Sequence, residues 1–286
     1  MAINVDDASS VGPRLRMMLS VLTPLEARLV SAALSSSFDE HVALKDIADS
    51  CEMSEAMVVK TSKKLGFSGF RDLRSQAAAY NRLPITAMHE ELSPSDTLRE
   101  IVTKVFRTSA QALEETLGIL DMAAFERAAT LLANANQRDF YGFGGSAQIA
   151  SDAVHKFLRI GIRATAYSDP YLMLMSAALL GPSDVVLAIS HSGQTANLIE
   201  AVKAAQANGV PVIAISNYSE SPLASLADAV LCSTAQGSPL TGENAAARVA
   251  QLNILDSLFV AVAQRDYERA ERQLSRTMMA VAHKRK

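Results

Sequence analysis

The sequence predicts two kinds of fold in one chain: an all-α N-terminal helix-turn-helix domain and an α/β C-terminal domain with a flavodoxin-like parallel sheet of five strands. Two observations predict this division. Residues 1–82 show only helical apolar spacing, whereas apolar runs and helical patterns alternate after about residue 121. Alternation of this kind indicates right-handed βαβ units and a parallel sheet covered on both faces. We therefore expect a helix-turn-helix domain over 1–82, a linker and connecting helix over 83–120, and an α/β domain over 121–286.

The composition is that of a soluble globular protein. The 286 residues carry a net charge of −3, and 49% of them are hydrophobic. We find neither an uninterrupted apolar run of roughly 18 residues nor a signal peptide, so we expect a cytoplasmic protein without a membrane span. Cys51 and Cys232 are isolated, and the five histidines are scattered. These spacings predict no disulfide, no metal site and no cofactor.

The N-terminal part has clear helix boundaries. Thr23-Pro24 is a typical helix start, with threonine as N-cap and proline at the first position. Residues 44–51 form a predicted short helix, and Glu52-Met53 forms a tight turn. A second helix is predicted from Ser54, a good N-cap, and ends before Gly66, where a left-handed residue is expected.

Two short helices joined by such a turn are typical of the helix-turn-helix unit. An ordinary αα-hairpin with a solvated face fits the pattern as well, but charge favours DNA. Residues 56–82 carry six basic residues and a single acidic one, although the whole chain is acidic. The residues predicted to face DNA are Ser54, Glu55, Ala56, Val59, Lys60, Lys63 and Lys64.

The segment from Ser54 to Leu73 resembles the recognition helix and following turn of the RpiR family of bacterial transcription factors. The match is most specific in Leu65-Gly66-Phe67-Ser68-Gly69-Phe70. The resemblance implies a transcriptional regulator that binds operator DNA.

The segment after the N-terminal domain is predicted to be a linker followed by a helix. Pro84 and Pro94 lie in polar surroundings, which is typical of a linker. Thr97 to Leu120 has the apolar spacing of a long amphipathic helix. We expect this helix to pack between domains or across a homodimer or homotetramer.

The C-terminal part is predicted to contain five strands. The sheet order should be 2-1-3-4-5, with the ligand at the carboxyl ends of strands one and three, where the order reverses. A helix over 245–264 is expected to close the chain. The predicted strands are one that ends at Phe140-Tyr141-Gly142-Phe143, and then 164–167, 184–190, 210–216 and 229–232.

The hydroxyl-rich turn from Ser190 to Thr195 is the candidate ligand site. It follows the apolar run 185–189 and leads into a helix, whose free N–H groups and positive dipole end favour an anion such as phosphate. A simple helix cap is the alternative. A second turn, Gly142 to Ser146, follows the first strand. It lacks the third glycine of a dinucleotide fingerprint, which leaves nucleotide binding as the weaker hypothesis.

Together the two turns resemble the sugar isomerase (SIS) domain of the same RpiR family, closest to its ribose and allose phosphate-responsive members. The resemblance implies a repressor controlled by a pentose or hexose phosphate. Catalytic SIS relatives use a glutamate near the position of Glu243 as a base, so an isomerase with a helical assembly domain is the alternative function. The implied ligand set is Gly144, Gly145 and Ser146 at the sugar, Ser190, Ser192 and Thr195 at the phosphate, with Gly193, Gln194 and Glu243 completing it.

Overall fold

The structure, a computed structural model, describes residues 8–88, 92–235 and 244–282. The chain divides into two compact units. The first, called the helical unit below, contains Met1–Leu120, Tyr218–Glu220 and Thr234–Ala247. The second, called the α/β unit, contains Asp121–Asn217, Ser221–Ser233 and Arg248–Lys286. The predicted three-part division at residues 82 and 120 stays a prediction.

The helical unit begins with helices whose ends follow the sequence signals. Thr23 caps the second helix in a capping box, in which its Oγ1 accepts from the N–H of Glu26 at 3.3 Å and its own N–H donates to Glu26 Oε2 at 2.8 Å. The predicted start at Thr23-Pro24 is therefore confirmed. The helices are α1 (Val11–Met17), α2 (Pro24–Ala33), α3 (Leu44–Ser50), α4 (Glu55–Lys64), α5 (Phe70–Asn81) and α6 (Leu98–Ile119).

Helices α3 and α4 end in the same way, with a Schellman motif. After α3, the N–H of Met53 donates to the carbonyl of Ala48 at 2.8 Å. After α4, the N–H of Phe67 donates to the carbonyl of Ser62 at 3.1 Å. The motif needs a left-handed residue after each helix. Gly66 fills it at φ +92° after α4, whereas Glu52 fills it at φ +56° after α3, so a non-glycine residue occupies a conformation that favours glycine.

A buried polar network lies in the helical unit. The guanidinium of Arg16 pairs with the carboxylate of Glu115, and the hydroxyl of Tyr80 donates to the same carboxylate at 2.5 Å. Arg16 also donates to the hydroxyl of Thr234 at 3.2 Å. Burial raises the pKa of Tyr80 to about 12. The phenol therefore stays protonated, as its role as donor requires.

The long helix α6 carries an exposed apolar stripe in its first half. Thr97 caps it in a second capping box with Glu100, and its second half is partly buried. In the first half, Leu98, Val102 and Phe106 are 82%, 57% and 74% exposed. Ile101 and Val105 fill the remaining helical positions of the same face and are exposed too.

The α/β unit contains one parallel sheet in the order β2-β1-β3-β4-β5, which confirms the predicted 2-1-3-4-5. Strands β1, β3 and β4 are buried along their whole length. The strands are β1 (Arg138–Gly142), β2 (Thr165–Tyr167), β3 (Val185–Ile189), β4 (Val212–Ser216) and β5 (Ala229–Cys232). The further α-helices among the described residues are α7 (Met122–Asn134), α8 (Gly145–Arg159), α9 (Pro170–Ala177), α10 (Ala196–Ala207), α11 (Asn244–Gln264) and α12 (Tyr267–Ala282).

Some predicted bounds are wrong. Phe143 lies outside β1, because the chain turns sharply at Gly142 to start α8. Helix α11 is not the last helix, because α12 follows it. Helix α7, which precedes the first strand, was not predicted. The capping residue Asp121, whose carboxylate accepts from the N–H groups of Ala123 and Ala124, was a local signal for α7.

One helix of the described residues, over Ala245–Gln264, is long and apolar enough to cross a membrane, and 44% of the tested segment is buried. Leu255 and Leu258 of this helix are fully buried, and Asp256 pairs with Lys156 of α8. Packing of this kind is typical of the core helix of a globular protein, and it accounts for the hydropathy of α11.

Candidate functional site

The two predicted turns leave the sheet side by side. In the parallel pairing of β1 and β3, the last residue of β1, Gly142, lies opposite the last residue of β3, Ile189. The turns after these strands therefore begin at the same level of the carboxyl edge, at the point where the strand order reverses.

The turn after β3 gathers hydroxyl groups at the N-terminus of α10. Ser190 Oγ lies 3.2 Å from Thr195 Oγ1 and accepts from the N–H of Gly193 at 3.1 Å. Ser192 Oγ accepts from the N–H of Gln194 at 3.2 Å. Ser190 is buried, Ser192 and Thr195 are half-buried, and Gln194 is exposed. Thr195 occupies the N-cap position, but its hydroxyl lies against Ser190 and makes no side-chain cap, so the first N–H groups of α10 are not satisfied by it.

Backbone hydrogen bonds join the same turn to β4 and to the segment that follows β4. The N–H of Ser190 donates to the carbonyl of Ile215 at 3.0 Å, and the N–H of Leu223 donates to the carbonyl of Gly193 at 3.0 Å. Gly193 has φ +62°, and a Cβ there would lie 2.1 Å from Ser221 Oγ. A side chain at this position would displace the turn, so glycine is required for both conformation and space.

The turn after β1 is equally tight. A Cβ on Gly142 would lie 2.7 Å from the carbonyl oxygen of Ser146, and Gly144 has φ +54°. The N–H of Ser146 donates to the carbonyl of Phe143 at 3.0 Å. Gly144 is exposed, and Gly145 and Ser146 are half-buried at the start of α8. Two helix N-termini, those of α8 and α10, thus begin at one edge of the sheet.

This arrangement suits an anion attached to a polar body. The first N–H groups of a helix have no acceptor within it, and its positive dipole end stabilises negative charge. Glu243, predicted to complete the ligand set, lies outside the described residues. No group of three or more His, Cys, Asp or Glu side chains suited to a metal ion occurs in the described part of the chain.

The second candidate surface lies on α4 of the helical unit. Ser54 caps α4 by accepting from the N–H of Met57 at 3.2 Å, which confirms the predicted start. Val58 is fully buried, and Ala48 of α3 is 2% exposed. Val59 is half-buried against the core, which leaves it less accessible than its neighbours. The residues of the predicted set that are exposed are Ser54, Glu55, Ala56, Lys60, Lys63 and Lys64.

The basic residues of 56–82 fall into two groups. Three of them are held by the fold: Lys64 pairs with Glu26 at 2.7 Å, Arg82 pairs with Glu40 at 3.0 Å, and Arg74 donates to the carbonyl of Val42 at 2.9 Å. Within the described ranges, no carboxylate pairs with the exposed Lys60, Lys63 or Arg71. Their charges are uncompensated, as a DNA phosphate would require.

Sequence reasoning missed the residues that support the site. Ser216 is the last residue of β4 and Asn217 follows it at the carboxyl edge, where the N–H of Asn217 donates to the carbonyl of His191 at 3.1 Å. Two polar residues at the end of the predicted strand 210–216, one inside it and one directly after it, were a local signal for them. Arg248 of α11 lies at the glycine turn and donates to Gln148 at 2.6 Å. No local pattern indicates that contact, because the two residues are 100 positions apart.

Comparison with known families identifies a domain in each half of the chain. A family model described as the SIS domain matches residues 131–261. A second, described as the helix-turn-helix domain of the rpiR family, matches residues 10–81.

Curated relatives cover nearly the whole chain. The HTH-type transcriptional regulator RpiR of Escherichia coli K12 is 42% identical over 268 residues, which are 93% of this chain and 90% of that protein. An uncharacterized HTH-type transcriptional regulator, YbbH of Bacillus subtilis, is 31% identical over 93% of this chain and 95% of its own length.

Solved structures share the fold. The Vibrio vulnificus NanR protein complexed with ManNAc-6P superposes with a TM-score of 0.61 at 24% identity, covering 95% of this chain and 98% of that one. The sugar isomerase domain of an RpiR transcription factor from Sphaerobacter thermophilus gives 0.58 at 26% identity, over 62% of this chain and 97% of that one.

Proposed function

Because this chain belongs to the RpiR family of helix-turn-helix transcriptional regulators and carries a SIS domain, we propose that it is a repressor whose operator binding is controlled by a sugar phosphate. The genes it controls would serve sugar metabolism, and the protein would act in the cytoplasm, where the DNA is. The observation that carries the proposal is the pair of turns at the ends of β1 and β3, each of which starts a helix at the same edge of the sheet.

The phosphate is assigned to the turn after β3. Ser190, Ser192 and Thr195 supply hydroxyl donors, and the N-terminus of α10 supplies N–H groups and dipole. Gly193 and Gln194 bring the backbone of the turn close to the ligand. The sugar is assigned to Gly144, Gly145 and Ser146 at the start of α8, and Glu243 is proposed to reach it.

The DNA surface is assigned to α4. Ser54, Glu55 and Ala56 at its N-terminus would meet base edges or backbone, as in other helix-turn-helix proteins. Lys60 and Lys63 would neutralise phosphates, because they are exposed and have no carboxylate partner among the described residues. Val59 and Lys64 also belong to the proposed set. Val59 is its least exposed member, and Lys64 is already paired with Glu26.

A second copy of the chain is the proposed partner of helix α6. A symmetric repressor binds two operator half-sites, and a single DNA-binding domain binds its half-site weakly. The exposed stripe of Leu98, Val102 and Phe106 would be covered in a homodimer or homotetramer. Replacing Val102 and Phe106 with Asp should give a monomer at micromolar concentration in analytical ultracentrifugation. A wild-type chain that sediments as a monomer, with and without DNA, would contradict the assembly.

The proposed role is not enzymatic. Both curated relatives described above are regulators by name. The isomerase alternative requires a base, and Glu243 is the only candidate that sequence reasoning offered.

Two experiments on the full chain test the proposal. Selection from random DNA should enrich a palindromic operator, and a thermal-shift screen with pentose and hexose phosphates should identify the effector. Turnover of a sugar phosphate that disappears in Glu243→Gln, together with operator binding indifferent to every sugar phosphate, would establish the isomerase instead.

A further inference from the structure

A guanidinium group lies against the glycine turn that precedes α8. A Cβ built on Gly145 would lie 3.4 Å from Arg248 Cδ, 3.5 Å from its Nε and 3.8 Å from its Cζ. Arg248 Nη2 donates to Gln148 Oε1 at 2.6 Å. Gly145 and Gln148 are three residues apart in α8 and therefore share one face of its first turn. Arg248 covers that face.

The position of Arg248 is fixed by its own helix. Gln251, three residues further along α11, is 1% exposed. Its Nε2 donates to Ser233 Oγ at 3.2 Å and to Asn217 Oδ1 at 3.4 Å. Ser233 and Asn217 follow β5 and β4 at the carboxyl edge of the sheet. These buried hydrogen bonds fix the position of α11 at the edge of the sheet where the two turns lie.

The charge of Arg248 is not compensated inside the protein. Its side chain is exposed, and in the part of the chain that the structure describes its one polar partner is the neutral amide of Gln148. A guanidinium stays charged at every physiological pH and offers five donors in a planar fork. Four of them remain available for oxygen acceptors beside Gly145.

We propose that Arg248 is a specificity-determining residue of the ligand site, which donates to the hydroxyl or carbonyl oxygens of the sugar at the end away from the phosphate. The inference rests on the proposed function. Arg248 contacts α8, where the sugar is assigned, whereas the phosphate is assigned to the turn that starts α10. Its ligand class is a polyhydroxylated phosphate monoester, in preference to a phosphate ester with few oxygens.

Binding measurements by calorimetry on the full-length protein test this role. The probes are inorganic phosphate, glycerol 3-phosphate and the tightest-binding pentose or hexose phosphate of a panel. Wild type should bind the sugar phosphate most tightly. Arg248→Gln should weaken sugar-phosphate binding by about tenfold or more, the loss of one or two charge-assisted hydrogen bonds. The same variant should change the binding of glycerol 3-phosphate and inorganic phosphate by less than about twofold.

Two further variants serve as controls for donor geometry and for charge. Arg248→Lys retains the charge without the fork and should give an intermediate loss, which separates donor geometry from simple attraction. Arg265→Gln removes the same charge near the far end of α11, about 25 Å along the helix, and should leave all three affinities unchanged. Thermal unfolding of each variant checks the fold, and an unstable Arg248→Gln leaves Arg248→Lys to decide.

The possible results distinguish failure of the role of Arg248 from failure of the proposed function. Equal affinity of wild type and both Arg248 variants for the sugar phosphate would overturn the role of Arg248 alone. An equal loss for all three probes would make Arg248 a phosphate ligand and would also overturn it. A wild-type protein that binds no sugar phosphate would overturn the proposed function, and the role of Arg248 with it.

Discussion

The two units build their candidate surfaces in different ways. In the helical unit, the proposed DNA surface lies on the single helix α4, whose N-cap, exposed face and end all follow from about a dozen consecutive residues. In the α/β unit, the proposed ligand site is assembled from turns after β1 and β3, supported by residues after β4 and β5 and by a side chain of α11. The first surface depends on local helix rules, whereas the second depends on strand order.

This difference predicts how the two surfaces respond to substitution. Side chains on the exposed face of α4 touch few others, so their effects on DNA binding should be nearly additive. Groups in the ligand turns share partners, as Ser190 does with Thr195 and Gly193. Their effects should be coupled, and their supporting residues should matter almost as much as the residues that touch the ligand.

The largest effect should come from the ligand turn. Ser192→Ala with Thr195→Ala removes two donors to a charged acceptor, each worth about 1.5 to 3 kcal/mol, so sugar-phosphate affinity should fall at least about a hundredfold. Isothermal titration calorimetry measures the loss.

The matched control is Ser257→Ala with Thr130→Ala. These hydroxyls donate to helix carbonyls four residues earlier, at 2.8 and 2.7 Å, and their loss should leave affinity unchanged. A similar affinity in both double variants would remove the hydroxyls from the binding site.

A smaller effect is expected on α4. Lys60→Glu with Lys63→Glu should weaken operator binding at least about tenfold at physiological salt and reduce the salt slope by about two, one unit for each DNA phosphate that the variant no longer neutralises. A gel-shift titration over a range of salt concentrations measures both quantities.

Lys203→Glu with Arg269→Glu makes the same change in net charge on exposed residues of the α/β unit and is the control. Lys64→Gln should cost less than Lys60→Gln, because Lys64 is already paired with Glu26. If the Lys60 and Lys63 pair behaves like the control while circular dichroism shows an intact fold, α4 does not contact DNA.

The smallest effect concerns the turn before α4. Glu52 holds the left-handed position that Gly66 holds after α4. Glu52→Gly should raise the free energy of unfolding of the helical unit by about 0.5 to 1 kcal/mol, since glycine adopts this conformation without steric cost.

The control for this turn is Glu52→Gln, which also removes the exposed ion pair with Arg28 but keeps a side chain at the strained position. It should change stability by less than about 0.5 kcal/mol. Chemical denaturation followed by circular dichroism compares the two variants, and equal stability would show that the backbone at Glu52 is unstrained.

Much of both surfaces could be predicted from the sequence, for reasons that particular residues illustrate. Ser54 and Gly66 lie at the ends of α4 because capping depends on a few neighbouring backbone groups. The pairing of Gly142 with Ile189 follows from the strand order, which the alternation of strands and helices predicts.

Other features could not be predicted because they depend on contacts between distant segments. The bond from Lys64 to Glu26 joins residues 38 positions apart and removes one charge from the basic set. The need for glycine at position 193 comes from Ser221, which belongs to a different turn. Arg248 reaches α8 only once α11 is docked at the sheet edge.

The most direct test of the account is the coupling between the sugar phosphate and the operator. Operator affinity should be measured for wild type and for Ser192→Ala with Thr195→Ala, each with and without the tightest-binding sugar phosphate at moderate concentration. Wild type should show a coupling of about 1 to 3 kcal/mol, whereas the double variant should bind the operator normally and show none. Equal operator affinity of wild type with and without every sugar phosphate that it binds would contradict the account.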